Sequence, residues 1–188
     1  MKSSSLISVG LRAKSGRAIA VVLRGPVEAP AVVHREEIVF CGPEKRQPYH
    51  AVMELPWPEA QAAVGLVAVA IKAAATEALR SLLAGAQGVG IVGAAPRQLE
   101  RIGNFHIRAH AAEGVFFREI LEAAAEANGL RHWLFAEKGL AAAVAPALGI
   151  AVPELNGRLA ELGRAVGSPW RADEKAAALA GWAVLAKL

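Results

Sequence analysis

Three apolar runs open the chain. Leu6-Ile7-Ser8-Val9-Gly10-Leu11, Ala18-Ile19-Ala20-Val21-Val22-Leu23 and Val32 through Phe40 are rich in β-branched residues and separated by turn chemistry. They predict three antiparallel strands. Lys14-Ser15-Gly16-Arg17 supplies the first turn, with Gly16 free to take a positive φ, and residues 24–30 supply the second connection. Residues 41–58 hold Pro43, Pro48, Pro56 and Pro58 and predict a loop.

From Glu59 to Leu83 the pattern turns helical: Ala, Leu and Val are interrupted by Glu59, Gln61, Lys72, Glu77 and Arg80 so that a broad apolar face remains. This predicts a largely buried helix closed at Gly85. Gly88-Val89-Gly90-Ile91-Val92-Gly93 reads as a short, fully buried strand with Pro96 beyond it. A second helix is expected from about Ala111 or Glu113 to Asn128, followed by a fifth strand over Arg131-His132-Trp133-Leu134-Phe135. Residues 138–188 are helical in composition, interrupted at Pro146, Pro153 and Ser168-Pro169, with a last helix starting near Arg171 or Asp173. No linker divides the 188 residues, so a single domain is expected, with a helical C-terminal part from about residue 138.

Composition narrows the class further. With 54% hydrophobic and 20% charged residues the chain is no disordered tract, and one cysteine excludes a disulfide scaffold. The lone Cys41 points to a reducing, cytoplasmic setting. Met1-Lys2-Ser3-Ser4-Ser5 is followed by an apolar stretch broken at Gly10, Arg12 and Lys14, which is not the pattern of a signal peptide. The longest uncharged stretches, Ala60 to Ile71 and Gly139 to Pro153, are shorter than a bilayer span, so no membrane association is expected. The net charge is +4 and the pI near 9.6. That surplus permits polyanion binding, and its denser parts are Lys45-Arg46 and the Arg12, Lys14, Arg17, Arg24 series.

The order of elements, with Gly10-Leu11-Arg12-Ala13-Lys14-Ser15-Gly16 leading into Ala18-Ile19-Ala20-Val21-Val22, resembles the RNase H-like superfamily. The nearest members are RuvC-like Holliday junction resolvases and related predicted nucleases. Asp173-Glu174-Lys175-Ala176-Ala177-Ala178-Leu179-Ala180 is similar to their final helix. The resemblance implies an α/β fold, a mixed five-stranded sheet of three antiparallel then parallel strands with helices on both faces. It also implies two divalent metals held by carboxylates from the first strand, the central strand and the last helix. Here Arg12 stands where the first aspartate belongs, the central strand ends in Gly93-Ala94-Ala95 without an acid, and Ala176 replaces a further helix acid. Of that set only Asp173 remains. Glu59, Glu77 and Glu174 are other acids whose distance from Asp173 the sequence leaves open.

A separate cluster carries its own chemistry. His106, His110 and Glu113 stand at i, i+4 and i+7, one face of a helix and a ligand set for zinc or ferrous iron. Against it, Gly103-Asn104 and Gly114 favour an extended entry with Glu113 capping a later helix, and Arg108 puts a cation beside the ligands. His50 reads as a packed loop ring pinned by Pro48 and Tyr49. His34 and His132 read as structural, and Cys41 as a buried thiol at a strand end. The glycines of residues 88–93 lie within a strand and precede Pro96, so no dinucleotide cofactor is expected.

The expectation is a catalytically degenerate RNase H-like domain that binds nucleic acid or a protein partner without cutting, with Arg12, Lys14 and Arg17 against phosphates. The alternative is a metal-dependent nuclease or hydrolase with a rearranged site of His106, His110, Glu113 and Asp173; a divalent metal belongs to that alternative only. A homodimer seamed by the Ala-rich helices after Gly139 is the third reading.

Overall fold

The computed structural model describes residues 6–188; the reading of residues 1–5 as carrying no signal pattern lies outside them. Five strands form one sheet: β1 (Ile7–Lys14), β2 (Arg17–Arg24), β3 (Ala31–Val39), β4 (Gly88–Gly93) and β5 (His132–Ala136). Their order is β3-β2-β1-β4-β5, antiparallel between the first three and parallel from β1 through β4 to β5. This is the mixed sheet expected. Ser15-Gly16 make the β1–β2 turn, with Gly16 at φ 72°.

Helices cover both faces. On one lie α1 (Trp57–Leu83) and α2 (Phe105–Ala127), whose Val64, Ile71, Leu79, Phe117, Ile120 and Leu121 pack on Val9, Leu11 and Ile91 of the strands. On the other lie α3 (Leu140–Leu148), α4 (Val152–Val166) and α5 (Ala172–Leu185), packed on Val21, Leu23 and Val92. The β-branched strands and alanine-rich helices divide the two layers as their periodicities require. Along α5 the small residues have a specific purpose: a Cβ on Gly10 would overlap the Ala177 carbonyl, and Gly181 faces Gly10 in turn. The helix therefore lies against the middle of β1 at backbone distance, and Ser8 Oγ donates to Gly181 O at 2.7 Å. That approach fixes the start of α5, and with it Asp173, over the end of β1.

Four expectations need correction. The helix α2 starts at Phe105, not near Ala111 or Glu113, because Asn104 Oδ1 accepts the Ile107 N–H at 2.9 Å and caps it there. Gly114 is carried inside the helix, where its missing side chain lets Ala94 approach. Pro146 sits inside α3 and does not interrupt it, while Pro153 lies in the first turn of α4. The loop of residues 41–58 contains two short 3-10 turns, Pro43–Lys45 and His50–Val52.

The fourth correction concerns α1. It is 27 residues long and, by length and composition alone, apolar enough to cross a bilayer, since Lys72 interrupts the uncharged stretch without ending the apolar one. It is also less buried than expected. Its Val64, Ile71, Ala75, Leu79 and Leu83 edge faces the core, while Leu66 is 81% and Val69 72% exposed.

Candidate functional site

The parallel pairing aligns the carboxyl ends of three strands, since Arg12 lies opposite Val92, and Gly93 opposite Ala136. Arg12 points into that junction with only 9% of its surface exposed. Its Nη1 donates to the carbonyls of Ala13 (3.1 Å) and Val92 (3.4 Å). Its Nη2 stands 2.6 Å from Glu137 Oε2, just past β5, and its Nε 3.5 Å from Asp173 Oδ1 at the start of α5. Lys14 Nζ approaches the other Asp173 oxygen at 3.1 Å. A guanidinium thus fills the space between the carboxylates. Its charge is offset on two sides, as a buried cation requires.

A cleft of about 420 Å³ opens beside this cluster, lined by Arg12, Lys14, Arg97, Lys138, His110 and Glu113 among others. A second depression, between Lys14, Arg17 and Arg46, continues the basic surface past the hairpin turn. Arg17 Nε lies 3.5 Å from Glu37 Oε2. Lys14, Arg17, Arg46, Arg97 and Lys138 therefore converge in space, because the hairpin turn and the β4 and β5 exits lie at the same end of the sheet, whereas Arg24 lies at the other end of β2, opposite Ile7.

From α2, His110 and Glu113 line the cleft, and His110 belongs to a cluster of three histidines. With α2 starting at Phe105, His106 and His110 fall one turn apart, their Nε2 atoms 3.1 Å from each other. His50 joins them from the loop, its ring centroid 5.0 Å from His106 and 4.3 Å from His110. One nitrogen from each of the three rings lies within 4.8 Å of the others. Among the described residues these are the three side chains gathered closely enough to hold one metal ion. Glu113 is placed behind them: Oε1 accepts the His50 N–H at 3.2 Å and stands 2.9 Å from His50 Nδ1. The loop is pinned by Tyr49, stacked on Trp57 at 5.5 Å and set edge-on to Phe116 at 6.1 Å. Burial, with the Glu119 carboxylate as a smaller cause, raises the Tyr49 pKa. Arg108 turns away, its guanidinium over the rings of Trp57 (5.2 Å) and Phe105 (5.0 Å).

No protein-family model and no curated protein matches the chain. Among solved structures, Thermus thermophilus RuvC superposes with a TM-score of 0.51 at 13% identity, covering 95% of this chain and 92% of RuvC. RuvC in complex with its Holliday junction substrate gives 0.51 and 13%, over 95% and 91%. The fold is RNase H-like, of the RuvC type. The residues at the ends of β1, β4 and β5 do not fit a two-metal carboxylate centre, because Arg12 already engages Asp173 and Glu137, and Gly93-Ala94 offers no side-chain donor at the end of β4.

Of the sequence candidates, Asp173 is tied to Arg12 and Lys14 and stands apart from the histidine set; Glu113 faces His50 and is not among the three gathered nitrogens. Glu174 accepts the Arg171 N–H at 2.8 Å and caps α5, while Glu77 pairs with Arg80. His34 is half exposed, 3.1 Å from Glu36. His132 is largely buried, 3.7 Å from Glu122. The Cys41 thiol lies against the hairpin turn at Gly16, and burial raises its pKa above the ordinary thiol value. Sequence reasoning missed Glu137, Arg97 and Lys138. Glu137 had one usable signal, its place directly after the fifth strand, whose parallel pairing brings it beside the end of β4.

Proposed function

We propose that this RNase H-like domain binds nucleic acid across the cleft at the carboxyl ends of β1, β4 and β5 and lacks two-metal strand cleavage. The observation that carries the reading is the Arg12 guanidinium held between Glu137 and Asp173. A fixed cation there neutralises the carboxylates that a divalent ion would need. The basic surface of Lys14, Arg17, Arg46, Arg97 and Lys138 supports phosphate binding, as does the similarity to a RuvC bound to a Holliday junction. Arg12 itself, buried and ion-paired, acts as the clamp behind these groups. The unpaired Cys41 supports a cytoplasmic setting.

Fluorescence anisotropy with a labelled four-way junction, titrated at several salt concentrations, tests the binding. The expected result is an affinity that falls linearly on a log–log plot against salt, by counterion release. Absence of binding at low salt to junction, duplex and single strand alike refutes it.

A protein-partner reading has one observation of its own, the exposed Leu66 and Val69 on α1. In the Ala-rich helices after Gly139, the seam expected of a homodimer, Val144, Leu155 and Leu159 face the core while Ala142, Ala143 and Ala147 are exposed. Sedimentation across a concentration series separates a self-associating chain from a monomer.

A further inference from the structure

We propose that His50, His106 and His110 bind a single zinc ion, with Glu113 as the carboxylate that orients His50. The inference stands independently of nucleic-acid binding. Three imidazoles supplied by a loop and by one helix face converge; His106 and His110 share a hydrogen bond at 3.1 Å that does not include His50. The His50 ring is largely buried; its Nδ1 stands 2.9 Å from Glu113 Oε1, and its Nε2 has no hydrogen-bond partner. Leaving such an atom unsatisfied is unfavourable, and a coordinate bond would satisfy it.

The geometry is close to that of a bound site. Nitrogens at 2.0–2.1 Å around a tetrahedral zinc stand about 3.3 Å apart. His106 and His110 are already at 3.1 Å, and rotation of exposed rings closes the remaining separations of up to 4.8 Å. His106 and His110 are exposed at the protein surface, free to make that adjustment. Glu113, 4% exposed, engages the Nδ1 side of His50 and leaves Nε2 as the ligand nitrogen. A carboxylate behind a ligating histidine fixes the ring and raises its basicity. Three neutral imidazoles with no carboxylate in direct coordination suit zinc and disfavour magnesium or calcium. Because His110 also lines the cleft, the fourth coordination position opens toward it, where water completes the tetrahedron.

The test is calorimetric titration of the chelator-treated full chain with zinc chloride, alongside cobalt(II) absorption as a reporter of geometry. One zinc per chain is expected, with intense visible cobalt bands of a four- or five-coordinate centre and no heat from magnesium. Glu113→Gln is expected to weaken zinc about 10–100-fold. His50→Ala and His110→Ala are expected to weaken it more. His106→Ala, at an exposed position, serves as the ligand variant least able to disturb folding, with circular dichroism as the control. No saturable zinc binding by the unsubstituted chain overturns the proposal. So does unchanged affinity in His50→Ala, which would mark a surface His106–His110 pair alone.

Discussion

Arg12 Nη2 and Glu137 Oε2 stand 2.6 Å apart across the ends of β1 and β5, with Asp173 on the guanidinium's other edge. Arg12→Asp replaces this cation by a third carboxylate in the same space, so repulsion lowers the melting midpoint in chelator and bound magnesium or manganese raises it again. The unsubstituted chain is expected to show no shift with magnesium. Thermal unfolding across a metal series checks both halves, and a magnesium-dependent rise in the unsubstituted chain would place a cation site where Arg12 stands.

The basic rim gives a graded prediction. Lys138→Gln and Arg97→Gln each remove a positive charge that lines the cleft, and each is expected to weaken binding to all nucleic-acid sequences alike. The slope of log affinity against log salt should fall by about one for each phosphate ion pair removed. Arg80→Gln, on α1 and paired with Glu77 away from the cleft, is the comparison. Equal losses in all three would mean a general charge effect and no defined path.

The fold was legible largely because its signals are local. Turn glycines and β-branched runs mark β1, β2 and β3, and a glycine-bounded apolar run marks β4; each is readable within a few residues. The start of α2 was misread because two opposing local signals, the Asn104 cap and the interior Gly114, compete, and only packing against Ala94 shows that the glycine is needed inside the helix. The candidate sites depend on long-range pairing. His50 is 56 positions from His106 and meets it only because Tyr49 seats the loop on Trp57 and Phe116. Glu137 reaches Arg12 only through the β1-β4-β5 register. No spacing rule encodes either meeting.

Gly10 bears the close approach of α5. Gly10→Ala drives a methyl into the Ala177 carbonyl, backbone that cannot move aside, and a loss of about 3 kcal/mol is expected from overpacking. Chemical denaturation measures it. Gly65→Ala, at an open position on α1, should be neutral or stabilising by comparison.

Cys41 gives a pH prediction. Burial disfavours the thiolate and raises the thiol pKa, so the reactive fraction is small at neutral pH and grows only above the ordinary thiol value of 9.0. Alkylation by iodoacetamide should therefore be slower than that of a small free thiol at pH 7.5, with its inflection displaced upward. An inflection below 8 would reveal an activated nucleophile.

The central claim, binding without two-metal cleavage, is tested most directly by following one labelled four-way junction through binding and product gels, in chelator and then in magnesium or manganese. Comparable affinity in both conditions and an intact junction after prolonged incubation are expected. Metal-dependent appearance of nicked or resolved strands, abolished by Asp173→Asn, would contradict it.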